Sequence, residues 1–310
     1  MVLQNTVGQS LHEYFEAQRL PDQFAKLVTD WYGPLAKDLT DYHVQANRPL
    51  MIGINGAQGS GKSTLSSFLA HLLNREYQCH SIDLSIDDFY LTRPERRTLA
   101  ERVHPMLNVR GVPGTHDVTL MNETLDALLK GTGECHVPCF DKSTDDRCPQ
   151  HEWQQVRAPV DVVIMEGWCL GTRVQDDADL DMPVNSLESK EDPDGVWRHY
   201  VNEQIKDYYE PLYDKVDIWI MLQAPSFDCV FEWRLEQESK LADSLQASAG
   251  MGASLNRLMS ASDVKRFIQY YQRLTEHTLA TLPARVNYRY QLDANRQVVL
   301  ADRPQPVVLS

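Results

Sequence analysis

Apolar and polar positions alternate between two periods along this chain. Between Pro21 and Leu35, Phe24, Leu27, Val28, Trp31 and Leu35 recur at helical spacing, with Pro21 and Asp22 ahead as a start signal, so residues 1–47 read as a helical N-terminal extension. PLMIGIN, residues 49–55, is then a short apolar run bounded by proline and glycine, the pattern of a strand buried on both faces. Leu65, Phe68, Leu69, Leu72 and Leu73 return to helical spacing. Three further apolar runs, CHSIDLSI (79–86), VDVVIMEG (160–167) and VDIWIMLQ (216–223), predict buried strands, and YRYQLD (288–293) predicts a fifth.

Strands alternating with helices predict an α/β fold, a mainly parallel sheet flanked by helices and joined by right-handed crossovers. Two segments interrupt the alternation. Residues 89–158 are rich in Arg, His, Pro and Gly and exceed the usual connection length, which marks them as a substrate-side insertion into a domain spanning 48–310. Residues 175–195 are acidic and turn-rich, the composition of a solvated loop.

Composition narrows the partners. At 310 residues and 42% hydrophobic the chain can bury a large core, and its net charge of −14 works against nonspecific binding to nucleic acid or anionic lipid. No apolar run is long enough to span a bilayer and no basic segment leads an apolar core at the N-terminus, so a cytoplasmic protein is expected. Six cysteines are too sparse for a disulfide scaffold. Cys135, His136, Cys139, Cys148 and His151 lack the paired spacing of a zinc site, and no metal is assigned to them.

The chemistry starts where the first strand ends. Gly56, Ala57, Gln58, Gly59, Ser60, Gly61, Lys62 and Ser63 fit GxxxxGK[ST], with Thr64 following, between a predicted strand and a predicted helix. Glycines let backbone N–H groups turn inward around an anion, and the following helix points its positive end at the same place. These nine residues are therefore expected to bind ATP, Lys62 reaching the β and γ phosphates and Ser63 ligating Mg²⁺.

Two carboxylates separate a kinase from a switch. In SIDDFYLT, Asp87 lies at the carboxyl end of the second strand, where ligands of open parallel sheets bind; it can accept a hydroxyl proton and touch Mg²⁺. Its neighbour Asp88 fits a helix N-cap. Glu166 ends the apolar run VVIMEG, where a carboxylate is costly unless a cation or hydrogen bonds compensate it, and Mg²⁺ is the expected compensation.

GAQGSGKST, IDDFYLT, RGVPGTHD, FDKS and MEGWCLG, in this order, resemble the D-glycerate 3-kinase family and its uncharacterised bacterial and fungal relatives. That family lies among the P-loop kinases with uridine kinase, phosphoribulokinase and pantothenate kinase. The resemblance spans about residues 48–300 and implies Asp87 as catalytic base, Tyr90 beside it, Glu166 near metal and substrate, and Arg234 of FEWRLEQESKL as the arginine of a lid over 228–262.

Residues 89–117 hold five arginines against three acids, a local excess of +2 that suits an anionic acceptor. Arg96, Arg97 and Arg102 fit the exposed side of a helix. Arg110, His116 and Asp117 lie in a turn-rich stretch and, with Lys142 of FDKS, are the expected substrate-side residues. Gln246–Asp263, rich in small residues, suits a lid hinge or an ordinary loop. The expectation is an ATP- and Mg²⁺-dependent kinase for a small hydroxylated, anionic substrate, with D-glycerate leading; a nucleoside, pantothenate or another metabolite, or a purely regulatory nucleotide site, are the alternatives.

Overall fold

The computed structural model describes residues 11, 13–21, 23–248 and 259–309. Helix α1 (Gly33–Ala46) precedes β1 (Leu50–Gly56), α2 (Lys62–Glu76) and β2 (Ser81–Ser85). Next come α3 (Arg93–Arg102), α4 (Val118–Lys130) and four short strands, β3 (Gly133–Val137), β4 (Phe140–Asp141), β5 (Asp146–Arg147) and β6 (Gln154–Ala158). The chain then returns to the sheet with β7 (Val162–Gly167), α5 (Val196–Gln204) and β8 (Ile218–Gln223), and ends with α6 (Phe227–Ser248), α7 (Ala261–Thr281), β9 (Tyr288–Leu292) and β10 (Val298–Asp302).

The six-stranded sheet runs β10-β9-β8-β1-β7-β2, parallel except for β10. Every residue of β1 and β7 is buried, as their unbroken apolar runs require. Alternate side chains feed two cores. On one face Leu50, Ile52, Ile54, Val162 and Ile164 pack with the inner side of α2 and with Phe24, Leu35 and Leu39 of the N-terminal helices. On the other, Met51, Val163, Met165, Ile82 and Leu84 pack with Leu125 and Leu128 of α4. The N-terminal helices thus share the sheet's own core.

Register matters for function. Ile54 of β1 and Ser85 of β2 both pair with Glu166 of β7, so three strands finish at one level. The loops that follow, carrying the glycine loop, Asp87 and Trp168, must therefore meet.

The five expected strands all form, with slightly trimmed ends. β10 was not expected: it is an exposed, antiparallel edge strand whose pattern lacks a buried run. The insertion at 89–158 is folded, built on α3, α4 and the two small hairpins β3–β6 and β4–β5. The hinge reading of Gln246–Asp263 falls mostly on residues outside those described.

Arg97 and Arg102 are exposed as expected, but Arg96 is not: it is only 1% exposed. Its Nε donates to Leu91 O (3.2 Å), one terminal nitrogen to Asn108 O (3.3 Å), and the other to Asp145 O (2.6 Å) and Oδ2 (3.0 Å). A buried guanidinium is tolerated only when its donors are met in this way, and periodicity, which assigns every arginine to the wet face, misses it. Arg96→Ala should therefore destabilise the protein by about 1–3 kcal/mol, the cost of leaving its buried acceptors unmet, against less than about 0.5 kcal/mol for Arg97→Ala, read from denaturant midpoints.

Candidate active site

The glycine loop leaves β1 at Gly56, where a Cβ would stand 2.5 Å from Ser60 Oγ. Gly59 and Gly61 have φ of +79° and +91°, values that L side chains resist. No side chain caps the start of α2, which leaves the positive end of that helix facing the loop. Outside the loop, Arg296 Nε donates to Gly59 O at 2.7 Å while its guanidinium lies 5.3 Å from the Trp233 ring centroid.

Glu166, 4% exposed, is the anionic centre of the site. Ser63 Oγ donates to its Oε1 at 2.6 Å and Lys62 Nζ stands 3.8 Å from Oε2, which has no hydrogen-bond partner. A buried carboxylate oxygen left over beside a serine hydroxyl is an oxygen donor set suited to Mg²⁺. Ser60 Oγ, also buried without a partner, lies within the cradle.

Facing this half is Asp87. Ser85 caps the short helical turn Ile86–Phe89 by accepting from Asp87 N, which fixes the aspartate just past β2. Lys142 Nζ donates to Asp87 Oδ2 at 2.6 Å and Tyr90 OH to Oδ1 at 3.1 Å. Burial works to raise the Asp87 carboxyl, but Lys142 and Lys62 outweigh it and hold it below the ordinary carboxylate value. Asp88 does not cap a helix; its Oδ1 accepts from Phe140 N at 3.3 Å and anchors the β4–β5 hairpin that carries Lys142. Burial raises the Asp88 carboxyl to about 6.

Lys62, Ser63, Gln58, Asp87, Tyr90, Arg110, Lys142 and Arg234 all line one cleft of about 250 Å³, closed by Trp168, Phe267 and Tyr271. Each cation has an acidic partner, and Arg110 shares its partner with Arg96. Arg110 pairs with Asp145 and lies over the Phe140 ring at 5.3 Å; Arg234 pairs with Glu238 and lies over Phe267 at 5.3 Å. Tyr271 OH donates to Arg110 O at 3.4 Å, and Trp168 Nε1 donates to Gly111 O at 3.1 Å.

His116 and Asp117 do not reach the cleft. His116 is buried behind Tyr90, stacked on it at 4.4 Å, with Nδ1 2.5 Å from Tyr209 OH, and burial lowers its pKa to about 4, so it is neutral. Asp117 caps α4 by accepting from Leu120 N at 3.0 Å and takes Arg147 at 3.2 Å on its other oxygen. Their motif is a turn folded inward, where side chains support rather than line.

Sequence reasoning missed Asp145, Phe267, Tyr271 and Arg296. Asp145 has a left-handed φ of +58° at a hairpin tip, and the others come from the chain's distant C-terminal third. Cys139 and Cys148 oppose each other across the β4–β5 hairpin, but among the described residues this region gathers no three metal ligands.

Residues 51–192 match the model of the phosphoribulokinase / uridine kinase family. An uncharacterized kinase, mug58, of Schizosaccharomyces pombe is 33% identical over 270 residues, covering 84% of this chain and 91% of that protein. The chloroplastic D-glycerate 3-kinase of Arabidopsis thaliana is 31% identical over 245 residues, 76% of this chain but 49% of that longer protein. The solved structure of D-glycerate 3-kinase from Cryptococcus neoformans superposes with a TM-score of 0.70 at 25% identity, covering 88% of this chain and 98% of that one. With the glycine loop, the strand-end acids and the sheet order in place, the chain belongs to the phosphoribulokinase / uridine kinase family of P-loop kinases.

Proposed function

We propose that this kinase transfers the γ-phosphoryl group of ATP to a hydroxyl of a small carboxylate-bearing metabolite, with D-glycerate as the leading acceptor. The observation that carries the reading is Asp87: an ionised carboxylate held between Lys142 and Tyr90, in the same cleft as Lys62 and Ser63. Likeness to two proteins named as D-glycerate 3-kinases supports the acceptor.

The residues divide the work. The loop's backbone and Lys62 hold the phosphates, with Arg234 approaching from α6. A groove of about 1050 Å³ beside the loop, lined by Phe24, Leu27, Gly61, Thr64, Asn295 and Gln297 among others, suits the nucleoside half. Mg²⁺, when bound, would be held by Ser63 and Glu166 with Asp87 nearby and would offset negative charge on the phosphates. Asp87 orients the acceptor hydroxyl and takes its proton; its low basicity suffices because transfer of this kind needs alignment more than a strong base. Arg110 and Lys142 then meet the acceptor's carboxylate, and Trp168 and Tyr271 exclude water.

An ATP-consumption panel of D-glycerate, pantothenate, uridine and glycerol tests the acceptor. D-Glycerate should give the highest kcat/KM and glycerol almost none. Pantothenate in first place would shift the assignment to that other hydroxylated carboxylate, named in relatives 30% identical over 149 residues. ATP binding without transfer to any small molecule would favour a regulator instead.

Lys62→Ala should lower kcat by about a hundredfold or more. Asp87→Asn should leave ATP affinity nearly intact and remove about 10²–10⁴-fold of the transfer rate; normal turnover would end the base assignment. Arg110→Gln should raise the KM of an anionic acceptor roughly 10- to 100-fold, the worth of a charged hydrogen bond, with little change in the KM of ATP, as steady-state kinetics would show.

A further inference from the structure

At the opposite end of the sheet, three segments bring together one side chain each. His43 comes from the last turn of α1, Cys79 from the approach to β2, and Asp161 from the residue before β7. The imidazole, thiol and one carboxylate oxygen lie within 4.8 Å of one another, the one such group of three among the described residues. The strand β7 is six residues long, so this cluster stands about 20 Å from the strand ends that carry the cleft.

The spacing separates an ion pair from a ligand set. His43 Nε2 and Asp161 Oδ1 are 3.6 Å apart, too long for a hydrogen bond. Two ligands of one tetrahedral zinc ion, each about 2.0–2.2 Å from the metal, lie roughly 3.3–3.6 Å apart.

Each ligand is also aimed from behind. His43 Nδ1 is 3.1 Å from Arg48 O; a carbonyl can only accept, so that nitrogen carries the proton and Nε2 presents its lone pair to the cluster. Asp161 Oδ2 accepts from His80 N at 2.7 Å, which leaves Oδ1 facing His43. Outer hydrogen bonds of this kind orient metal-ligating side chains. Cys79 is 4% exposed and Asp161 42%, so the thiol is sheltered and the carboxylate side offers an entry path.

From this geometry we infer that His43 Nε2, Cys79 Sγ and Asp161 Oδ1 form a binding site for a borderline divalent transition metal, Zn²⁺ foremost, with water in the fourth position. The mixed nitrogen, sulfur and oxygen donors select against Mg²⁺. On binding, the Cys79 proton leaves to solvent and the thiolate bonds the metal; until then burial and Asp161 push the thiol up to about 12. The ion would tie α1 to the starts of β2 and β7, fixing the N-terminal helices to the sheet from the side opposite the cleft.

Co²⁺ is the probe, added to chelator-treated full-length protein with Mg²⁺ in excess to occupy the oxygen-only site. One equivalent should produce a thiolate-to-cobalt charge-transfer band and tetrahedral visible bands, both removed by one equivalent of Zn²⁺. Cys79→Ser should abolish the charge-transfer band. His43→Gln and Asp161→Asn should weaken binding at least about tenfold and shift the visible bands, while the Cys139→Ser/Cys148→Ser double variant keeps both. Zn²⁺ should raise the melting temperature of the parent protein and not of His43→Gln, with far-ultraviolet circular dichroism confirming that each variant is folded. Absence of the band in the folded parent protein, or a band that survives Cys79→Ser, would overturn the site; should Cys79→Ser not fold, an unchanged spectrum in folded His43→Gln and Asp161→Asn would do so.

Discussion

Glu166 is a negative charge at the end of a strand buried on both faces, and much of the molecule is arranged to make that tolerable. The parallel register sets it level with the ends of β1 and β2. The glycine loop then delivers Ser63 and Lys62 to it from the start of α2. Ser63 satisfies one carboxylate oxygen, and the other faces Lys62 without a hydrogen bond. A site of this kind is stable enough to form unaided yet incomplete without its ligands, which is what a nucleotide cradle requires.

The rest of the cleft follows a different electrostatic plan. Arg110, Arg234 and Lys142 each hold an acidic partner: Asp145, Glu238 and Asp87. The cations are therefore oriented by the protein itself rather than left as loose side chains. Three cations thus gather in one cleft of a protein that carries −14 overall.

Most of the sheet and the glycine loop were legible in the sequence because their signals are local. An unbroken apolar run records burial on both faces, and a glycine loop between strand and helix records its own geometry. Asp87 and Glu166 were legible for the same reason, as acids placed at the ends of such runs. What escaped was either contextual or long-range. Arg96 has the composition of a surface residue and becomes a core residue only because Asp145, some fifty positions later, folds back over it. His116 and Asp117 have the chemistry of ligands, but the turn that holds them packs inward against Tyr90, Tyr209 and Arg147. β10 lacks a periodic pattern because an edge strand has little buried surface to record.

The contact between Gly59 and Trp233 has a mechanical side. Trp233 precedes Arg234 on α6, and a Cβ built on Gly59 would meet Trp233 Cβ at 2.7 Å. Arg296 bridges the two from outside, bonded to one and stacked on the other. The helix bearing Arg234 is thus packed directly against the glycine loop. Any side chain at position 59 would have to push α6 away from the cradle, so this glycine sets how closely the helix bearing Arg234 can lie against the loop.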